Sequence, residues 1–129
     1  MNYTTLKEKY DYVVNIKNIN NYGNLCIYVE RLNTRLLKGY YQEFVDYVYL
    51  SCLECLKISK TYTVHLYLEN VTNKNFSFTL FKKLNKKLNT LEDVLDVCYV
   101  YDASTITKNI FKLILPFIDK TTKQKIFIF

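Results

Sequence analysis

Residues 106–118 constrain the fold more than any other part of the chain. Ser104 or Thr105 can cap a helix there. Ile106, Ile110, Phe111, Leu113, Ile114, Leu115, Phe117 and Ile118 leave that helix apolar on nearly every side, and Pro116 ends or kinks it. Such a helix has to be covered all round, by protein or by something that is not protein. With 129 residues the chain makes one ordinary domain, residues 1–129, with few places to bury a helix completely. A lipid or membrane on the second face resolves the conflict; a neighbouring subunit is the other cover.

The remaining pattern alternates strand and helix. Residues 12–16 and 25–29 read as strands joined by the polar stretch 18–24, and 25–29 is apolar at consecutive positions, as in a strand covered on both faces. After Asn33 or Thr34, the residues Leu37, Tyr41, Phe44, Val45, Val48, Cys52, Cys55 and Leu56 keep helical spacing. That predicts one long amphipathic helix lying on a sheet. Residues 61–69 read as a strand, 70–75 as a turn, and 76–88 as a helix with Phe81, Leu84 and Leu88 inward and Lys82, Lys83, Lys86 and Lys87 outward. A helical turn at 91–96 and strands at 97–101 and 125–129 complete the series. The order implies an α/β fold: a mostly parallel sheet of about five strands with right-handed crossover helices.

Several functions are excluded by composition. The longest apolar runs are five or six residues, against roughly 20 for a bilayer span. Residues 1–12 carry charges and lack a signal-peptide core, which implies a cytoplasmic protein whose Cys26, Cys52, Cys55 and Cys98 are reduced and mostly buried. Cys52 and Cys55 form a CxxC inside a helical pattern, and a single histidine, His65, completes no metal set, so neither metal nor cofactor is expected. Gly23 and Gly39, the only glycines, cannot build a Walker or dinucleotide loop. His65 between Val64 and Leu66 reads as a core or sheet-face residue, Asp102 as a turn residue and Asp119 as a helix terminator. No Ser or Cys nucleophile has a visible partner, so no enzyme is expected. The net charge of +6 favours an anionic partner, and with Arg31 and Arg35 the only arginines, nucleic acid is disfavoured. The excess of Asn, Lys, Ile and Tyr points to an AT-rich genome, viral or protist.

The residues also resemble a family. Val100-Tyr101-Asp102-Ala103-Ser104, the helix ending Pro116-Phe117-Ile118-Asp119, and Thr121-Thr122-Lys123-Gln124-Lys125-Ile126 look like the strand, gate helix and Thr-x-x-Lys-Ile strand start of the CRAL-TRIO fold of Sec-fourteen-type phosphatidylinositol transfer proteins. Upstream, residues 22–32 are similar to the family's opening Gly-Arg-Pro-Val-Tyr-Ile-Glu-Arg-Leu. The resemblance covers about residues 10–129. It implies that Thr122 and Lys125 hold a headgroup phosphate while Glu92 or Asp93 accepts from inositol hydroxyls. It also implies that the helix at about 105–118 is a gate over an acyl-chain cavity, formed by Ile106, Ile110, Phe111, Ile114, Leu115, Phe117 and Ile118, with Phe111, Leu115 and Ile118 on the lipid or membrane side.

The departures count too. The family's N-terminal three-helix region and C-terminal helices have no counterpart here, Tyr67 stands where many members carry Asp, and Leu25 where they carry Pro. A cavity wall is then missing, which favours a homodimer or action at a membrane. The expected function is to bind and transfer or present phosphatidylinositol, or a phosphorylated phosphoinositide such as a bisphosphate, at cytosolic membranes. The only ligand would be the phospholipid, and Lys108, Lys112, Lys120 and Lys123, with the four lysines of 82–87, would supply transient attraction to an anionic surface. The alternative is a BCH-type interaction domain that engages small GTPases or their regulators without lipid transfer.

Overall fold

The strands lie in the sheet in the same order as in the chain, and this decides where the helices go. In the computed structural model, which describes residues 2–129, the sheet order is β1 (Val14–Ile19), β2 (Tyr22–Tyr28), β3 (Tyr62–Tyr67), β4 (Leu95–Tyr101) and β5 (Ile126–Ile128). β1 pairs antiparallel with β2, and every later pair is parallel. This is the mixed α/β sheet expected. The helices are α1 (Tyr3–Tyr10), α2 (Thr34–Leu37), α3 (Tyr41–Ile58), α4 (Phe78–Leu88), α5 (Thr105–Ile114) and α6 (Lys120–Lys123). Sequential parallel strands joined by right-handed crossovers place their helices on one face. Accordingly α3, α4 and α5 all pack towards the side carrying Val14, Ile27 and Leu66.

Local chemistry sets the boundaries. Asn20 and Asn21 both adopt positive φ (54° and 62°), the two-residue turn that matches strand twist, so the hairpin runs to Ile19 and Tyr22 instead of ending in a long polar loop. The expected long helix is broken: Gly39 at φ +91° separates α2 from α3. Asp93 at φ 56° makes residues 91–93 a turn, not a helical segment, and β4 starts earlier than expected, at Leu95. α1 was not foreseen, because its apolar residues are sparse. Leu6 and Tyr10 are nonetheless buried, Tyr3 stacks on Tyr47 at 5.7 Å, and Tyr10 donates to Glu43 at 2.6 Å. Beyond β3, buried Asn75 donates to the Glu30 and Leu32 carbonyls (3.1 and 2.7 Å), which ties two loops together at the end of the sheet.

α3 lies close against the sheet because small residues meet there. Ser51, Cys52 and Cys55 are fully buried, and a Cβ on Gly23 would come within 2.9 Å of both the Cβ and the carbonyl oxygen of Cys55. Gly23 N also donates to Ser59 Oγ at 2.9 Å. Because one of these neighbours is backbone, Gly23→Ala should cost about 1–3 kcal/mol of stability. Urea unfolding should show a lower midpoint at an unchanged slope.

Candidate functional site: a cavity under the α5 helix

Where α3 sits flush, α4 and α5 stand off from the sheet. Two cavities that share Leu66, Phe81, Leu84, Leu88, Phe111 and Ile114 occupy the gap. The first, about 210 Å³, reaches towards β1 and α3 and is walled almost wholly by apolar side chains. The second, about 550 Å³, is floored by Tyr62, Val64, Cys98 and Ile126 of the sheet. The second volume is that of a small-molecule site, and the first is an apolar extension of it.

The larger cavity has a polar rim, and all four expected headgroup residues line it: Glu92, Asp93, Thr122 and Lys125. Asp93 is held by the turn before β4. Thr122 and Lys125 are held by α6, whose N-cap is Asp119: its carboxylate accepts from Thr122 N at 2.9 Å, and Lys125 N donates to the Thr122 carbonyl at 3.0 Å. Asp119 therefore starts a helix, where termination was expected, and the segment ahead of Lys125 is a helical turn that leads into β5. The Thr122 hydroxyl and amide hold the Asp119 carboxyl below its ordinary range, with Lys125 adding to the effect. Asp119, Thr121, Asn85 and Asn89 also line this cavity and were not expected among the headgroup residues. The Asp-x-x-Thr spacing at 119–122 is an N-cap signal that could have found α6.

The gate residues divide. Ile110, Phe111 and Ile114 line the cavities from α5, and Ile118 lines the larger one. Phe111, expected on the stripe shared with Leu115 and Ile118, is buried against the group that holds Leu68, Val71 and Val100. Leu115 is half-buried and lines neither cavity. Ile106 and Phe117 point away, 43% and 49% exposed, as does Leu113 at 64%. The helix is therefore amphipathic rather than apolar all round. It also stops at Ile114, and the tight turn Leu115–Phe117 carries the expected Pro116 end. Asn85 of α4 fastens that turn by donating to the Phe117 carbonyl at 2.9 Å, and Phe78 meets Phe117 edge-on at 5.2 Å.

The lysines expected to meet a membrane stay outside the cavity. Lys83, Lys86, Lys108, Lys112, Lys120 and Lys123 are exposed. Lys82 lies over the Phe78 and Phe117 rings (4.9 and 5.6 Å) and Lys87 over Tyr49 (4.5 Å). No acidic residue occurs on α5. Among the described residues no helix is long and apolar enough to cross a membrane.

The cysteines and histidine take structural places. Cys52 and Cys55 are buried in α3, and burial pushes their thiols up to about 11 and about 12. His65 lies on the opposite face of the sheet. Its Nε2–H donates to Asn24 Oδ1 and its Nδ1 accepts from the Tyr101 hydroxyl, both at 2.8 Å, the tautomer required because Asn24 spends its amide on the Tyr22 carbonyl. Burial, then the charge of Lys17, hold the imidazole below its ordinary pKa.

The family profile described as CRAL/TRIO domain matches residues 9–129. No curated protein matches the sequence. Among solved structures, the crystal structure of Sfh5 superposes with a TM-score of 0.74 over 94% of this chain at 15% sequence identity. The chain spans 50% of the Sfh5 chain.

Cys98 offers a probe of the cavity. It is half-buried in the cavity floor, and burial lifts its thiol to about 11. A small apolar thiol reagent should modify Cys98 before the three buried cysteines, at a rate that rises about tenfold per pH unit below that pKa. Peptide mapping by mass spectrometry after timed labelling checks both the site and the slope.

Proposed function

The chain belongs to the CRAL/TRIO domain family, and on that footing we propose that it binds a phospholipid, with acyl chain under α5 and headgroup at the Thr122–Lys125 rim. The observation that carries this reading is that one cavity brings apolar walls together with Thr122, Lys125, Glu92 and Asp93. Apolar walls would take the chain out of water, at about 0.8 kcal/mol per buried methylene. The Thr122 hydroxyl and Lys125 ammonium would donate to a phosphate, and the carboxylates would accept from ring hydroxyls.

Charge narrows the headgroup. The rim sets one lysine against the three carboxylates of Glu92, Asp93 and Asp119. That balance suits one phosphate on a neutral polyol and opposes a ring bearing further phosphates, so phosphatidylinositol is favoured over its bisphosphate. The outer side of α5 would then meet the membrane. Leu113 and Ile106 are exposed there beside Lys108 and Lys112, and each lysine near an anionic surface contributes about 1 kcal/mol. The domain would exchange or present the lipid at that surface, without covalent chemistry.

The test is loading from vesicles that contain labelled phosphatidylinositol, with bound lipid identified by mass spectrometry of the repurified protein. Thr122→Ala with Lys125→Ala should lose phosphatidylinositol while keeping its thermal melt, since both side chains lie at the rim. Leu84→Trp, which fills the gap, should exclude every phospholipid. Undiminished phosphatidylinositol loading by the double variant would place the headgroup elsewhere.

A further inference from the structure

Asn85 stands where a leucine or a lysine would serve α4 better. Asparagine is a poor residue within a helix, because its side chain competes for backbone hydrogen bonds. The neighbouring inward positions of α4, Phe81, Leu84 and Leu88, are apolar. Asn85 is nonetheless half-buried among them and lines the larger cavity together with Asn89, one turn further on. A polar break in an apolar face needs a partner, and this one lies on another element: the Asn85 Nδ2 donates to the Phe117 carbonyl at 2.9 Å.

That bond is the polar fastening of the whole α5 segment. Among the described residues, it is the one hydrogen bond that ties residues 103–118 to any other element. The segment's other bonds are internal: those of α5 itself, its cap between Ser104 and Thr107, and the turn Leu115–Phe117. No ion pair among the described residues involves the segment either. Phe111 and Ile114 anchor its inner side by apolar burial, which has no preferred direction. The directional bond from Asn85 therefore decides where the end of α5 comes to rest over the cavity.

The Asn85 carboxamide has capacity left. A carbonyl can only accept, so the amide nitrogen must face Phe117, and Oδ1 is turned away from it. Neither Oδ1 nor the second N–H has a partner among the described residues, and the cavity that Asn85 lines also holds Thr122, Lys125, Glu92 and Asp93. On the phospholipid reading above, we infer that Asn85 is a positioning residue that couples headgroup recognition to closure of α5. Its Oδ1 accepts from a hydroxyl of the headgroup ring while its Nδ2 holds the Phe117 turn. A ring hydroxyl on Oδ1 fixes the side-chain torsions, and the bond to the turn then forms without further loss of freedom. A headgroup without ring hydroxyls leaves those torsions free. Linkage runs the other way as well: the fastened turn holds a polyol headgroup more tightly.

Hydrogen exchange of the full chain, read by mass spectrometry over peptides from 104–118, tests the coupling. The protein is saturated in turn with phosphatidylinositol and with phosphatidic acid of the same acyl chains, which lacks ring hydroxyls. Phosphatidylinositol should slow exchange in 104–118 about fivefold more than phosphatidic acid does, the size of one added hydrogen bond. Asn85→Leu should abolish that difference while exchange in α3 and β4 keeps its wild-type rates. Asn85→Asp keeps an acceptor and loses the donor to Phe117, so phosphatidylinositol bound to it should give none of the added protection. A merely structural asparagine would shift both lipids alike. Equal protection of the wild-type segment by the two lipids, or a difference that survives Asn85→Leu, overturns the inference and leaves the phospholipid reading standing. A chain that takes up neither lipid overturns that reading, and the inference with it.

Discussion

Right-handed crossovers between strands laid down in chain order leave the helices only one side of the sheet, and the other features of the molecule follow from that. On the helical side, distance is set by side-chain size. Ser51, Cys52 and Cys55 bring α3 down onto Gly23 until no methyl group would fit between them. α4 and α5 present Leu80, Phe81, Leu84, Phe111 and Ile114, which hold their helices away from Val64 and Leu66. The two cavities open beside the Gly23–Cys55 contact, the smaller one reaching Phe44 and Val48 of α3.

Much of this could be read in the sequence wherever one residue type has one physical meaning. The period of Phe44, Val48, Cys52 and Cys55 placed α3, and the β-branched and aromatic run 61–69 placed β3. Thr122, Lys125, Glu92 and Asp93, distant in sequence, do share one rim. The misreadings arose where a residue has two meanings. Asp119 can end one helix or cap the next, and the carboxylate's bond to Thr122 N decides for the second. Ile106 and Leu113 counted towards a helix apolar all round, because hydropathy alone cannot tell a buried apolar residue from an exposed one. α1 was missed because its burial depends on tyrosine rings meeting Phe44 and Tyr47, a tertiary fact that its own weak periodicity does not record.

Charge is sorted by surface. The outer sides of α4 and α5 carry lysines only, with cation–π contacts from Lys82 that tie α4 to the turn after α5. The cavity rim is acidic on balance. A polyanion drawn to the protein by its net charge would therefore meet the outer face of α5 first and find the rim unfavourable. Under the lipid-binding reading, long-range attraction and headgroup choice are separate functions of separate residues. The lysines set how often the domain visits an anionic surface, and Thr122, Lys125 and the carboxylates set what it takes up there.

The period-two alternation of β3 serves both faces of the sheet at once. Val64 and Leu66 face the gap under α5, while Thr63, His65 and Tyr67 face the open side. A one-residue slip would put His65 and Tyr67 into the apolar gap and strand their hydrogen bonds, so the register is held from both sides. His65 pins it most directly, because its two ring nitrogens bind β2 through Asn24 and β4 through Tyr101. With the imidazole neutral, that clamp crosses three strands without placing a charge under the ladder of stacked rings formed by Tyr28, Tyr67 and Tyr101. A rigid, uncharged floor of this kind lets the same sheet wall the apolar cavity on one face and carry the tyrosine ladder on the other.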